Sequence, residues 1–270
     1  MSKIVIPTNY YQQFDADREL EFPAEAYGGW KKAELEIDPE RTAVVVMHAW
    51  DCGSWDDYPG WHRAVDYILR SYEISRTVFP PLLEAVRRSP LKLFHVVAPG
   101  HHYYEPYPGY QRVVRLAGDS EEKYEKAATS PLTDQLWAFR RRFGHPGTHN
   151  QEDIRQGHSR IDFTPEARPQ GEEGIARNAH QLFALCQADG INHLIYVGFA
   201  INGCLLLSPG GMADMQKRGM LCSTIRQAVT AIENKETIRE ELGKEMALWN
   251  VALLFGFVYE ADEFIQALRS

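Results

Sequence analysis

This 270-residue sequence predicts an α/β fold, a mostly parallel sheet with helices on both faces. Two observations carry that expectation. Short apolar, β-branched runs of strand length recur along the chain, and segments with helical spacing separate them. A third observation places the chemistry. One apolar run ends in a glycine-flanked turn that presents a cysteine, Cys204.

Taken in order, the elements are these. Residues 42–47 (Thr-Ala-Val-Val-Val-Met) read as a buried strand. Residues 61–88 carry helical spacing, broken near Pro80-Pro81. Residues 91–97 (Leu-Lys-Leu-Phe-His-Val-Val) are a second strand, and 174–188 read as a helix with Ile175, Leu182, Phe183 and Leu185 on its core side. Residues 194–197 form the strand before the cysteine turn. A helix begins at Cys204, interrupted by Ser208-Pro-Gly-Gly211, with a second piece over 212–218. A strand over 220–225, a helix over 238–248, a last strand over 250–258 and a closing helix over 260–268 complete the pattern.

Two stretches fall outside the alternation. Residues 1–41 are polar and aromatic and read as an arm laid across the surface or onto a neighbouring subunit. Residues 42–270 form the α/β domain. Within it, an insertion over about 98–172 interrupts the core pattern, with helices expected near 121–126 and 132–142. An insertion of that kind builds or covers a site, or makes a subunit contact.

Composition narrows the class of function. Hydrophobic residues make up 44% and charged residues 24%, ordinary for a soluble globular chain. The net charge of −8 argues against a nucleic-acid-binding surface. The first residues have no signal-peptide apolar core, and no apolar run reaches membrane-spanning length. The expected location is therefore cytoplasmic, with neither nucleic acid nor membrane as partner. The four cysteines show no CxxC spacing, which fits a reducing compartment rather than a disulfide or zinc framework.

Cys204 is the main candidate for chemistry. A cysteine at the start of a helix sits beside free amide N–H groups that stabilise a thiolate, and the same groups can hold an oxyanion. Free cysteine is also a common buried filler, so the position alone leaves both roles open. Trp50, Trp55, Tyr58 and Trp61 cluster near the first strand and can line a pocket or pack as a cap. Cys52 is a second thiol in that region, while Cys186 and Cys222 read as core.

Two motifs resemble those of the isochorismatase-like cysteine hydrolases. Thr42-Ala-Val-Val-Val-Met-His48-Ala-Trp-Asp51 resembles the family's opening strand, which ends in Asp-Met-Gln-Asn-Asp. Gly198-Phe-Ala-Ile-Asn-Gly-Cys204-Leu resembles its Gly-x-x-Thr-Asp-x-Cys-Val. The resemblance implies a three-layer α/β/α sandwich, Rossmann-like, in a homo-oligomer. It implies a nucleophilic Cys204 acting on an amide or related C–N bond of a small-molecule substrate, with Gly203 and Cys204 forming the oxyanion hole. It also implies a non-proline cis peptide in the cysteine turn, near Ala200-Ile201.

The family's Asp and Lys are both changed. His48 stands at the Asp position, and Cys–His is itself a nucleophile–base pair. Asp51 is the alternative base or the group that orients His48. No lysine lies between Lys126 and Lys217. The compensating positive charge is expected from the turn's N–H groups and a protonated His48, ahead of an arginine such as Arg177. Arg160, Arg168 and His180 are further candidates. Trp50, His101, His102 and Asn202 are expected to touch substrate. Adjacent histidines in a loop point apart, so no metal is expected, nor any cofactor. His145, His149 and His158 read as loop histidines. The competing expectation is a catalytically silent relative that binds a ligand or protein in the old active site.

Overall fold

The structure is a computed structural model that describes residues 3–118 and 125–270. Its strands are β1 (Ile4–Gln12), β2 (Gly29–Ile37), β3 (Thr42–Met47), β4 (Trp50–Asp51), β5 (Lys92–Val96), β6 (Asp162–Phe163), β7 (Gly174–Ala176), β8 (His193–Gly198), β9 (Leu221–Val229) and β10 (Val258–Tyr259). The helices are α1 (Pro59–Ala64), α2 (Ile68–Thr77), α3 (Phe79–Arg88), α4 (Pro108–Ala117), α5 (Pro131–Phe143), α6 (Gln151–His158), α7 (Ala179–Asp189), α8 (Met212–Gln216), α9 (Leu242–Leu254) and α10 (Ala261–Arg269).

Eight strands form one sheet in the order β2-β1-β10-β9-β8-β3-β5-β7. From β10 to β7 the neighbours are parallel, while β1 is antiparallel to both β10 and β2. The six parallel strands run outward from β3 through β5 to β7. The chain then returns to place β8 on the other side of β3. The switch point of this Rossmann-like order therefore lies between β3 and β8.

Alternation along β3 explains the layers. Ala43, Val45 and Met47 join a core with residues of α4, α7, α8 and α9. Val44 and Val46 face the opposite core, built from α3 and α10. All six β3 residues are buried, as a strand covered on both faces requires. The result is a three-layer α/β/α sandwich. No helix of the described residues is long and apolar enough to cross a membrane.

Several elements differ from the sequence-based expectation. The segment expected as an arm is described over residues 3–41. It carries a hairpin, β1–β2, that extends the sheet through Thr8 and Asn9 against β10. The helix expected over 174–188 is a short strand, β7, followed by α7 with Asn178 as its side-chain cap on the Gln181 amide. The strand expected over 250–258 is mostly the end of α9, and only Val258–Tyr259 is extended. The spacing over 61–88 resolves into three helices, with Pro80 and Pro81 in the first turn of α3, where their missing N–H groups cost no helical bond. Helix α5 matches the one expected near 132–142. The helix expected near 121–126 lies largely outside the described residues.

Candidate active site

Both motifs end at the switch point. Met47 pairs with Gly198 across β3 and β8, and the Phe199 amide donates to the Met47 carbonyl at 3.1 Å. Gly198 sits at φ +124°, where a Cβ would lie 2.0 Å from the Met47 oxygen, so only glycine permits this approach of the two strand ends. His48 and the cysteine turn thus leave neighbouring strand ends at the carboxyl edge of the sheet.

The cysteine turn is a single π-helical turn, Ile201–Leu205, and the next helix, α8, begins only at Met212. The peptide Phe199–Ala200 is cis, one residue before the expected place. Cys204 is half-buried. The Gly203 and Leu205 amides both donate to the Ala200 carbonyl, at 3.2 and 3.1 Å. The Gly203 N–H is therefore already engaged within the turn and is not free for an oxyanion. Asn202 is engaged too. Its Nδ2 donates to the Ile232 carbonyl at 2.8 Å, and its Oδ1 accepts from the Ile232 amide at 2.8 Å. With both ends of its amide spent on backbone, Asn202 clamps the cysteine turn to the chain after β9 instead of reaching a substrate.

His48 follows β3 in a left-handed conformation, φ +54°, with 8% of its surface exposed. Its ring stacks on Trp50 at 4.6 Å, and its Nδ1 has no hydrogen-bond partner. Burial, and secondarily the neighbouring His158, hold its pKa down at about 3. His48 is therefore neutral near pH 7 and does not supply the positive charge expected of it.

Asp51 lies on the other side of β4 from Trp50, as strand alternation demands. Its Oδ1 accepts from the Tyr72 hydroxyl at 2.6 Å and from the Gly53 amide at 3.1 Å. It opens onto a separate outer cleft with Trp55, Arg76 and Glu166. Asp51 therefore does not orient His48. Cys52 is buried, and burial with the nearby Asp51 charge pushes its thiol up to about 12, which makes it unreactive.

The cavity beside His48 has a volume of about 90 Å³ and is walled by Trp50, Cys52, Trp61, Tyr67, His158 and Phe199. Burial of the Tyr67 phenol raises its pKa, with the Cys204 and Cys52 thiols adding to the effect. His158, read from sequence as a loop histidine, belongs to this cluster. It stacks on Trp61 at 4.7 Å and meets the Trp50 edge at 5.7 Å, and burial lowers its pKa. The available signal was Ile154, one helical turn earlier on α6 and packed against the same cluster. His101 stacks on His158 at 6.1 Å, whereas His102 turns outward to Glu105 at 2.7 Å and is no pocket residue. Among the described residues no three His, Cys, Asp or Glu side chains are grouped to hold a metal.

Of the arginines expected to replace lysine, Arg177 alone is buried, directly after β7 at the carboxyl edge. Arg168 is exposed and paired with Asp162, and Arg160 and His180 are exposed.

The solved structures that this chain resembles include three of low sequence identity. One is a cysteine hydrolase from Pseudomonas syringae pv. phaseolicola: 14% identity, 86% of this chain and 94% of that chain covered, TM-score 0.49. The second is an isochorismatase-like hydrolase from Alkaliphilus metalliredigens: 18% identity, 84% and 96% covered, TM-score 0.48. The chain is similar to isochorismatase-like hydrolases. The third structure is N-carbamoylsarcosine amidase from Thermoplasma acidophilum: 15% identity, 82% and 97% covered, TM-score 0.42. Likenesses of this size say nothing about activity. No family model matches the chain, and no curated protein matches it in sequence.

Proposed function

We propose that the chain is an isochorismatase-like cysteine hydrolase that cleaves an amide or related C–N bond of a small molecule, with Cys204 as nucleophile. One observation carries the reading. A half-buried thiol stands on the turn after β8, and a histidine stands on the adjoining turn after β3, at the switch point where open α/β sheets bind ligands.

In this reading the Cys204 sulfur attacks the carbonyl carbon, and the thiol proton passes by way of the neutral His48 imidazole to the leaving nitrogen. The C–N bond breaks and leaves a thioester. Water then attacks the thioester, releasing the acid and restoring the thiol. A base whose pKa is about 3 does not store a thiolate–imidazolium pair, so proton transfer accompanies attack. Arg177 and the backbone of the turn would supply the positive field that His48 does not. The chain would act in the cytoplasm and as a homo-oligomer.

A second reading, a ligand-binding relative without catalysis, is favoured by the depressed His48 pKa and the spent Gly203 amide. One experiment separates the two: turnover of a panel of small amides and ureides, with iodoacetamide labelling of Cys204 across pH. The hydrolase reading expects no turnover in Cys204→Ser and a loss of about 100-fold in His48→Ala, the worth of a general base. An inert Cys204, or full activity in Cys204→Ser, would establish the alternative or overturn the thiol mechanism.

A further inference from the structure

The outer cleft lies across β4 from the His48 cavity. Trp50 faces the one and Asp51 the other, because successive residues of a strand point to opposite faces. The outer cleft has a volume of about 540 Å³, against about 90 Å³ beside His48, and falls within the size range of small-molecule sites. Trp55, Leu69 and the Tyr72 ring make its walls largely apolar and aromatic. Trp55 and Leu69 are 48 and 66% exposed within this concave surface.

Two carboxylates and one cation stand among these walls. Glu166 makes no hydrogen bond or ion pair with any described residue. Asp51 spends its Oδ1 on the Tyr72 hydroxyl and the Gly53 amide, and its Oδ2 has no partner among the described residues. Arg76 pairs with neither acid, and its guanidinium lies over the Tyr72 ring at 5.3 Å. Two acids against one cation leave the cleft with surplus negative charge and open carboxylate oxygens. His62 lines the same cleft and is 7% exposed. Its Nε2 bonds the Gly53 carbonyl at 3.1 Å. A carbonyl only accepts, so in the neutral ring Nε2 carries the proton and Nδ1 is a bare acceptor. No described residue donates to that Nδ1. The polar groups without partners here are thus acceptors, and what they lack is a donor.

We propose that the outer cleft binds a small organic monocation, a primary ammonium carried on a planar apolar body. The ammonium supplies three N–H donors and one positive charge to the side of the cleft that holds Asp51, Glu166 and His62. The apolar body lies against Trp55 and Leu69. An anion of the same shape meets two unpaired carboxylates and is rejected, and a zwitterion leaves the surplus charge in place. Cys204 does not line this cleft, so the proposal does not depend on the hydrolase reading.

The test is isothermal titration of the full chain at neutral pH with phenethylamine, beside phenylpropionate and free phenylalanine, the anion and the zwitterion on the same ring. The amine is expected to bind saturably and at least tenfold more tightly than either. Glu166→Gln and Asp51→Asn keep the side-chain shape and should each weaken it about tenfold, the worth of a charged hydrogen bond. Trp55→Ala, an exposed substitution, should weaken it by a similar factor through loss of the aromatic wall. Cys204→Ser should bind the amine as the parent does. The proposal is overturned by the absence of saturable binding, by phenylpropionate or phenylalanine binding as tightly as the amine, or by unchanged affinity in Glu166→Gln or Trp55→Ala. Loss of binding in Cys204→Ser would also overturn it, since the amine would then sit at the cysteine turn.

Discussion

Lowering the pH from 7.5 to 5 should cost this fold about 4 kcal/mol, and histidines account for it. His48 is held near 3 and His193 near 4 in the folded protein, against an ordinary 6.5. For both, burial is the main cause. A histidine depressed on folding binds its proton more readily in the unfolded chain. Its contribution to stability is therefore full above about 6.5 and is lost as pH falls toward the folded value. At pH 5 both are still neutral in the fold and protonated in the unfolded chain, so each loses about 1.5 pH units times 1.36 kcal/mol, roughly 2 kcal/mol. His95 and His158 are shifted in the same direction and add to the fall, while Asp66, raised by burial, works against it. Glu173 is held down at about 2, and its contribution, full above its ordinary 4.5, is lost only below that value, so it stays out of this window. Urea denaturation at intervals from pH 7.5 to 5 measures the slope. His48→Asn tolerates the left-handed backbone and cannot titrate, so it should remove roughly half of that slope. A change below about 1 kcal/mol over the window, or an unaltered slope in His48→Asn, would refute the buried, neutral assignment.

Three further outcomes follow from single contacts. Asn202→Ala should lower stability by about 1–2 kcal/mol, the worth of two half-exposed hydrogen bonds to Ile232, measured by denaturant unfolding. Gly157→Ala places a Cβ 2.2 Å from the buried Trp61 ring, and the overpacking should cost about 1–3 kcal/mol and alter the near-UV circular dichroism of the tryptophan cluster. At pH 8 iodoacetamide should label Cys204 alone, since burial pushes the thiols of Cys52, Cys186 and Cys222 up to about 12; peptide mass mapping reads this out.

The parts of the fold that sequence revealed are those whose pattern has one physical cause. Residues of β3 are apolar without interruption because both faces are covered, and no helix of six residues gives that pattern between turns. Where two causes give the same pattern, the reading failed. The end of α9 is apolar on its inner side because it packs on the sheet. Its outer side is apolar too, with Leu242, Met246 and Leu253 exposed. An apolar run without period is what a buried strand also shows. In the β1–β2 hairpin Pro7 lies outside the pairing with β10, which reaches only Thr8 and Asn9, so its missing N–H falls beyond that pairing. The site divides in the same way. Topology alone brings the ends of β3 and β8 together, and with them His48 and the turn that carries Cys204. Asp51 was misjudged by one step of alternation, since a strand of two residues, β4, sends it away from the ring that Trp50 faces. His158 reaches the His48 cavity through the tertiary placement of α6, more than a hundred residues along the chain. Local spacing, through Ile154 four residues earlier, marks only that this side of α6 is packed and not what it packs against. The charge state of His48 was out of reach for the same reason. It is set by Trp50, Trp61 and His158 closing around the ring, and that closure makes the imidazole a weak, neutral acceptor rather than the cation a thiolate would need.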